Sequence, residues 1–245
     1  PNEDSLLYRY VFKLFDDNNV EGVLIPTKSR MTACISSQVG CSLSCKFCAT
    51  GKLDRLRNLN ADEMYDQVFM LNELAQKNYQ QKLSNIVYMG MGEPLMNYNN
   101  VLKSIDKITS PEGLGMSSKR ITVSTSGVPK IIKKMADDEV KFNLAVSLHS
   151  AIDKVRTSIM PFNETFPLKD LGESLVYWYE KTQRVVTYEY IVWDGINDKK
   201  EDIKALINFC KLIPCKVNLI EYNPIDDGEF QQASSRAIDN YISNL

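Results

Sequence analysis

Short runs of β-branched and apolar residues alternate along this chain with longer stretches whose apolar positions recur every three or four residues. The opening differs from the rest. Tyr8 to Phe15 and Val20 to Ile25 flank the turn cluster Asp16-Asp17-Asn18-Asn19, and Pro26 closes the second run, which predicts a β-hairpin. Beyond it the pattern predicts strands over 32–36, 85–89, 120–124, 142–147, 185–192 and 216–220. Between them it predicts helices over about 61–76, 98–108, 129–136, 168–180 and 200–212. Asn60-Ala-Asp-Glu63 has the form of a capping box at the first of these. Strands alternating with crossover helices make a parallel sheet. Six such units are too few for the closed eight-fold barrel, so the expected fold class is α/β, a partial (βα)6 barrel with parallel strands preceded by a short β-hairpin. The hairpin is expected as an extension over 1–28 and the barrel as a core over 29–245, with no linker inside it.

Composition narrows the function classes. The 245 residues are 44% hydrophobic, enough for one substantial core, and the formal net charge is −2. Global charge does not announce a nucleic-acid binder, so any such surface is local. Two candidates are Lys46, Lys52, Arg55 and Arg57, relieved by Asp54, and Lys119-Arg120 with Lys130, Lys133 and Lys134. Solvated faces explain each patch equally well. No apolar run approaches the about 20 residues that span a bilayer, and no signal-peptide zoning is seen. Six cysteines, three of them in one loop, fit a reducing, cytoplasmic setting. The chain opens with Pro1 rather than Met, which suggests a processed or shortened product.

Those three cysteines carry the strongest chemical signal. Cys41, Cys45 and Cys48 stand in a CxxxCxxC run. A cubane iron–sulfur cluster normally takes four thiolates, so a loop offering three leaves one iron open to a substrate's amino and carboxylate groups. Zinc wants four ligands, and the only histidine, His149, lies far away in sequence. A disulfide framework and an electron-transfer cluster completed by Cys34, Cys210 or Cys215 are the other readings.

The remaining polar motifs fall just after predicted strands, the edge where ligands bind in parallel α/β folds. Gly90-Met-Gly92-Glu93-Pro94 follows the second strand. It lacks the third glycine of a dinucleotide fingerprint, but offers bare backbone and a carboxylate to an ammonium group. Ser124 and Ser147 end strands, with Leu148-His149 after the latter, and Asn223-Pro224 closes the last. Taken singly, each reads as a structural serine, a packed histidine or a turn residue. Cys34 reads by default as a small core hydrophobe and Glu21 as a surface carboxylate, while Cys210 and Cys215, flanking Pro214, read as core packing.

Together these residues resemble a known family. Arg30-Met-Thr-Ala-Cys34-Ile-Ser-Ser-Gln-Val-Gly-Cys41-Ser-Leu-Ser-Cys45-Lys-Phe-Cys48-Ala-Thr-Gly51 closely resembles the RlmN/Cfr family of radical-SAM RNA methyltransferases. So do Gly90–Pro94, Ser124-Thr-Ser-Gly127, Ser147-Leu-His149, Met160-Pro161, Glu189-Tyr190, Asp194-Gly195-Ile-Asn197-Asp198 and Asn218 to Pro224. The match runs from about Glu21 to the end. The resemblance implies a [4Fe–4S] cluster on Cys41, Cys45 and Cys48, and S-adenosyl-L-methionine (SAM) bound by Gly92, Glu93, Ser124, Ser147, Leu148, His149 and Asn223. It implies that Glu21 is the proton acceptor and that Cys34 resolves a protein–RNA adduct by forming a disulfide. The RlmN branch, which the broad match favours, methylates C2 of an adenosine in 23S rRNA and of one beside the anticodon in some tRNAs; the Cfr branch methylates C8. The implied route passes through a methylated protein cysteine, from which a 5′-deoxyadenosyl radical takes hydrogen. The implied partners are 23S rRNA, tRNA and an electron donor such as flavodoxin, with the enzyme a cytoplasmic monomer.

The chain departs from the family in two places. The methyl-carrying cysteine belongs to a C-terminal segment near an Ala-Cys-Gly-Gln-Leu motif, and the family also has an N-terminal RNA-binding domain; neither is found in these 245 residues. The expectation is a chain that binds cluster and SAM but does not complete methyl transfer alone. Two other classes stand beside it: a different radical-SAM enzyme acting on a protein or small molecule, and an iron–sulfur electron carrier.

Overall fold

The computed structural model describes residues 7–225 and 228–245. It divides into two compact units.

The first unit ends its opening stretch at Ser42 and includes Leu53–Thr125 and Lys141–Asn143. Its hairpin forms where the turn chemistry lies. Strand β1 (Tyr8–Lys13) pairs antiparallel with β2 (Asn19–Pro26). In the turn, Asp17 takes the left-handed conformation at φ 62°, and Asp16 accepts from the backbone and side-chain amides of Asn18. β2 pairs antiparallel in turn with β3 (Met31–Cys34), so the hairpin is stitched into the sheet. A two-residue ladder joins β4 (Gln38–Val39) to β5 (Arg57–Asn58).

Helix α1 (Ala61–Tyr79) starts at the foreseen capping box: the Asn60 side chain accepts from Glu63 N–H, and the Glu63 carboxylate accepts from Asn60 N–H, both at 2.9 Å. Its apolar stripe buries Met64, Val68, Leu71 and Ala75. Each large apolar side chain so buried is worth about 1.5–3 kcal/mol. β6 (Asn85–Tyr88), α2 (Tyr98–Thr109) and β7 (Ile121–Thr125) follow. β3, β6 and β7 are parallel neighbours.

The second unit comprises Leu43–Lys52, Ser126–Val140 and Leu144–Leu245. It contains α3 (Pro129–Asp137), β8 (Asn143–Ser147, from residue 144), α4 (Asp153–Ile159), α5 (Leu168–Thr182), β9 (Val186–Ile191), α6 (Lys200–Cys210), β10 (Cys215–Ile220) and α7 (Ser235–Asn244). β9 runs parallel between β8 and β10. That central place explains why it is buried at nearly every position rather than alternately.

All six predicted barrel strands and all five predicted helices are present, with ends shifted by up to three residues. α4, α7, β4 and β5 were not predicted. α4 is short, and at Arg156 a cation stands in the apolar stripe formed by Ile152, Val155 and Ile159, so its period does not read as amphipathic.

Candidate functional site

In the first unit the Ser36-Ser37-Gln38 lead-in is a hub of neutral hydrogen bonds. Ser36 N–H donates to Gln67 Oε1 at 2.9 Å, while Gln67 Nε2 donates back to Ser36 O at 3.1 Å. Ser36 Oγ donates to Glu21 O at 2.6 Å and accepts from Met91 N–H at 2.8 Å. Gln38 Nε2 donates to Asn58 Oδ1 at 2.7 Å, and its Oε1 accepts from Glu93 N–H at 2.8 Å. Asn97 Nδ2 donates to Ser37 O and Leu59 O. These side chains are buried, so each bond answers a group that would otherwise be desolvated and unpaired.

The hub fixes the Gly90–Pro94 loop. Gly92 lies at φ +94°, and a Cβ there would stand 2.4 Å from Gln38 Cβ, so only glycine passes. Glu93 is buried, and its Oε1 accepts from Leu95 N–H at 3.0 Å. A carboxylate retains further acceptor positions after one such bond. Ser124 is buried on β7.

Glu21 and Cys34 come together on one face. Cys34 pairs with Val23 across β2 and β3, and paired residues point to the same side of a sheet. Glu21 precedes Val23 by two positions and shares that side. The Glu21 side chain is half-exposed and lies 3.7 Å from Arg9 Nε. Cys34 is buried, and desolvation pushes its thiol up to about 12. It stands as a protonated thiol rather than a ready nucleophile.

The second unit carries Cys45, Cys48, Ser147, Leu148, His149 and Asn223. The cysteine loop turns tightly: Cys48 N–H donates to Cys45 O at 3.2 Å, and Gly51 N–H to Cys48 O at 3.0 Å. A Cβ on Gly51 would stand 2.5 Å from Cys45 O. Phe47 anchors the loop among rings, its centroid 4.8 Å from His149 and 4.9 Å from Trp193. Cys45 packs against the same cluster, which includes Ile159, Met160, Ile191, Tyr222 and Phe230.

His149 holds a left-handed backbone at φ 54°, which costs a non-glycine residue roughly 1–2 kcal/mol. Two bonds hold it there. Ile191 N–H donates to its Nδ1 at 3.2 Å, and Asn197 Nδ2 donates to its carbonyl at 2.6 Å. The proton therefore sits on Nε2. Burial, with the Arg156 charge second, lowers the imidazole pKa to about 3, so it is neutral. Leu148 N–H and His149 N–H both donate to Glu189 O. The buried Glu189 carboxyl accepts from Asn218 Nδ2 at 2.7 Å and is raised above the usual carboxylate range by desolvation. Asn223 is exposed.

The donor set fits a thiolate-bound cluster. Cys41, Cys45 and Cys48 are half-buried thiols within one eight-residue stretch. In the second unit, the buried Trp193 Nε1 and Tyr222 hydroxyl lack a hydrogen-bond partner among the described residues. Unanswered buried donors in the cluster that Cys45 packs against suit an acceptor-rich group at that loop. Among the described residues no three histidine, cysteine or carboxylate side chains already converge on a single ion. A four-iron cubane is bulkier than one ion, and its fit rests on ligand chemistry rather than on preformed convergence.

Parallel strands with crossover helices and a three-thiol loop define a radical-SAM α/β protein, and comparison bears this out: residues 35–210 match the Radical SAM superfamily. A protein of Christiangramia forsetii bearing the name "Probable dual-specificity RNA methyltransferase RlmN" is 69% identical over 95% of this chain and 66% of its own length. A protein of the same name from Flavobacterium psychrophilum is 66% identical over 95% and 67%. A crystal structure of a radical SAM methyltransferase from Sphaerobacter thermophilus superposes with TM-score 0.94 at 36% identity, covering 98% of this chain and 70% of that one. The chain belongs to the RlmN family of radical-SAM RNA methyltransferases. Membership carries the superfamily's cofactors, a [4Fe–4S] cluster and SAM. The partial α/β barrel with its leading hairpin is likewise the family's fold. The chain spans about two thirds of the length of these relatives.

Several contributors were not foreseen. Gln67 and Asn97 read as ordinary polar residues because their partners on the Ser36–Ser37 lead-in are distant in sequence; Asn163 gave no sign because its helix was not predicted, and Gln38 and Asn197 stood in matched motifs without an assigned role. Arg156 alone left a signal, a cation where the helix stripe calls for an apolar residue. Of the basic patches, Arg57 is taken: it bonds Asp16 at 2.6 Å and Glu63 at 2.8 Å, and its guanidinium holds Asp16 far below the usual carboxylate range. Cys210 and Cys215 are half-buried and line an apolar groove with Ile213, Pro214 and Ile242. No helix among the described residues is long and apolar enough to cross a membrane.

Proposed function

We propose that this chain is the catalytic core of an enzyme that methylates C2 of an adenosine in 23S rRNA, and of an adenosine beside the anticodon in some tRNAs. The observation that carries this reading is the shared face of Glu21 and Cys34 on β2 and β3, which leads into the Ser36–Gln38 hub. An electron carrier, or a radical-SAM enzyme acting on a protein or small molecule, has no use for a carboxylate and a thiol on one face there.

On this reading Cys41, Cys45 and Cys48 hold the cluster, and Gly92, Glu93, Ser124, Ser147, Leu148, His149 and Asn223 bind SAM. When bound, the cluster supplies the electron that splits SAM into methionine and a 5′-deoxyadenosyl radical. Glu21, half-exposed at the sheet face, takes the proton leaving adenine C2. Cys34 Sγ resolves the protein–RNA adduct. Burial keeps its proton on until the RNA is in place, which also protects the thiol from oxidation. Transfer to RNA further needs the methyl-carrying cysteine, and these 245 residues contain no Ala-Cys-Gly-Gln-Leu motif. The enzyme works in the cytoplasm as a monomer, with a flavodoxin-like donor.

The test is the electron paramagnetic resonance spectrum of the anaerobically reconstituted, dithionite-reduced chain, with and without SAM. A SAM-dependent change in the cluster signal is expected. A spectrum indifferent to SAM would sink the reading. With a protein that also carries the methyl-bearing cysteine, digests of 23S rRNA and tRNA should contain C2-methyladenosine; C8-methyladenosine would place the enzyme in the other branch. This chain alone should bind SAM yet yield neither product.

A further inference from the structure

Arg156 is the residue that the reaction as described leaves unused. It is wholly buried on α4, where an arginine is costly unless its donors are answered. They are answered by carbonyl-type oxygens. Nε donates to Leu148 O at 3.0 Å and Nη1 to Asn163 Oδ1 at 2.6 Å. Nη2 donates to Ser126 O at 2.6 Å and Ser147 O at 3.2 Å. One planar fork thus joins the loop leaving β8 to the segment that opens at Ser126.

The same helix reaches the cysteine loop. Ile159 O, at the end of α4, accepts from Lys46 N–H at 3.0 Å, and Ile159 packs in the cluster that covers Cys45 and Phe47. The cation is neutralised only at a distance. Asn163 relays it to Asp153, whose Oδ1 accepts from Asn163 Nδ2 at 2.9 Å and lies in the exposed first turn of α4. A guanidinium pre-organised by four acceptors is a rigid anchor, and burial leaves its charge poorly screened.

We propose that Arg156 is a positioning residue for cofactor binding: its fork ties the backbone of Ser147 and Leu148, which receives SAM, to Ser126, from a helix whose last residue is bonded to the Cys45-bearing loop. This rests on the assignment of Ser147, Leu148 and His149 to the SAM site. Lysine retains the charge but offers one ammonium in place of the fork, so it cannot span those carbonyls. Methionine removes both.

The experiment uses the reconstituted chain and the variants Arg156→Lys and Arg156→Met. The readouts are iron content and SAM affinity from the cluster's paramagnetic signal. Arg156→Lys should keep its iron while binding SAM at least tenfold more weakly. Arg156→Met should lose as much affinity. Where Arg156→Met does not fold, Arg156→Lys decides alone. Wild-type SAM affinity in Arg156→Lys overturns the proposal, as does loss of iron and affinity in proportion, which marks a merely structural role. A wild-type chain whose signal ignores SAM refutes instead the underlying site assignment.

Discussion

The Ser36–Gln38 segment of the first unit and the His149–Arg156 segment of the second both hold candidate cofactor residues, by different physics. The former uses serine hydroxyls, amides and backbone groups, none of which changes charge between pH 3 and 9. The latter uses packed rings, a neutral imidazole and a buried guanidinium. A neutral network is specific through geometry and tolerates changes of pH. A desolvated one with a fixed charge is stiffer and bound to a protonation state. Substitutions should therefore divide by region in how their cost depends on conditions.

The largest effect is expected in the ring cluster. Trp193→Ala empties the centre of the packing around Phe47, Tyr222 and Phe230 and should destabilise by about 3–5 kcal/mol in urea denaturation. A loss below 1 kcal/mol would show that the cluster is loosely packed. In the neutral hub, Gln38→Leu strands the Glu93 N–H and removes the shorter of the two bonds to Asn58 Oδ1, and should cost about 1–3 kcal/mol, equally at pH 5 and pH 8. A cost that varies with pH would break the contrast between the regions.

The imidazole supplies the opposite behaviour. His149 is neutral when folded down to about pH 3, whereas the unfolded chain protonates near 6.5, so unfolding takes up a proton between those values. Its contribution is intact above pH 6.5 and is lost as pH falls, at up to about 1.4 kcal/mol per pH unit. Asparagine tolerates the left-handed backbone, so His149→Asn should fold and flatten that slope by one proton. An unchanged slope would mean that His149 is hydrated in solution. The smallest effect belongs to Glu21→Gln. Its ion pair with Arg9 is exposed, so stability should change by less than about 0.5 kcal/mol, while the proposed function predicts loss of C2 methylation in a protein that also carries the methyl-bearing cysteine.

The sequence reading succeeded where chemistry is local. Asp16 to Asn19 makes its own turn, Asn60 and Glu63 cap each other, and three thiols in eight residues point to a cluster without any knowledge of the fold. The rim residues were singled out because ligands bind at strand ends in parallel α/β sheets. The supports behind them were not. Gln67 meets Ser36 from 31 residues away, and Asn197 meets the His149 carbonyl from 48. Neither the helical context of Gln67 nor the matched motif around Asn197 says which distant group its amide meets. Arg156 both hid its helix and betrayed itself, because a charge in an apolar stripe weakens the helical signal while raising the question of what answers it.

The ring stack on Phe47 bears on how the protein is made. Trp193 and Phe230, two of the rings that pack on Phe47, leave the ribosome long after it, Phe230 more than 180 residues later. At 5–20 residues per second the wait is roughly ten to forty seconds. For that interval Phe47 lacks those ring contacts, which are distant in sequence and slow to form. The packing that anchors the cysteine loop therefore waits on a segment made long after the loop itself.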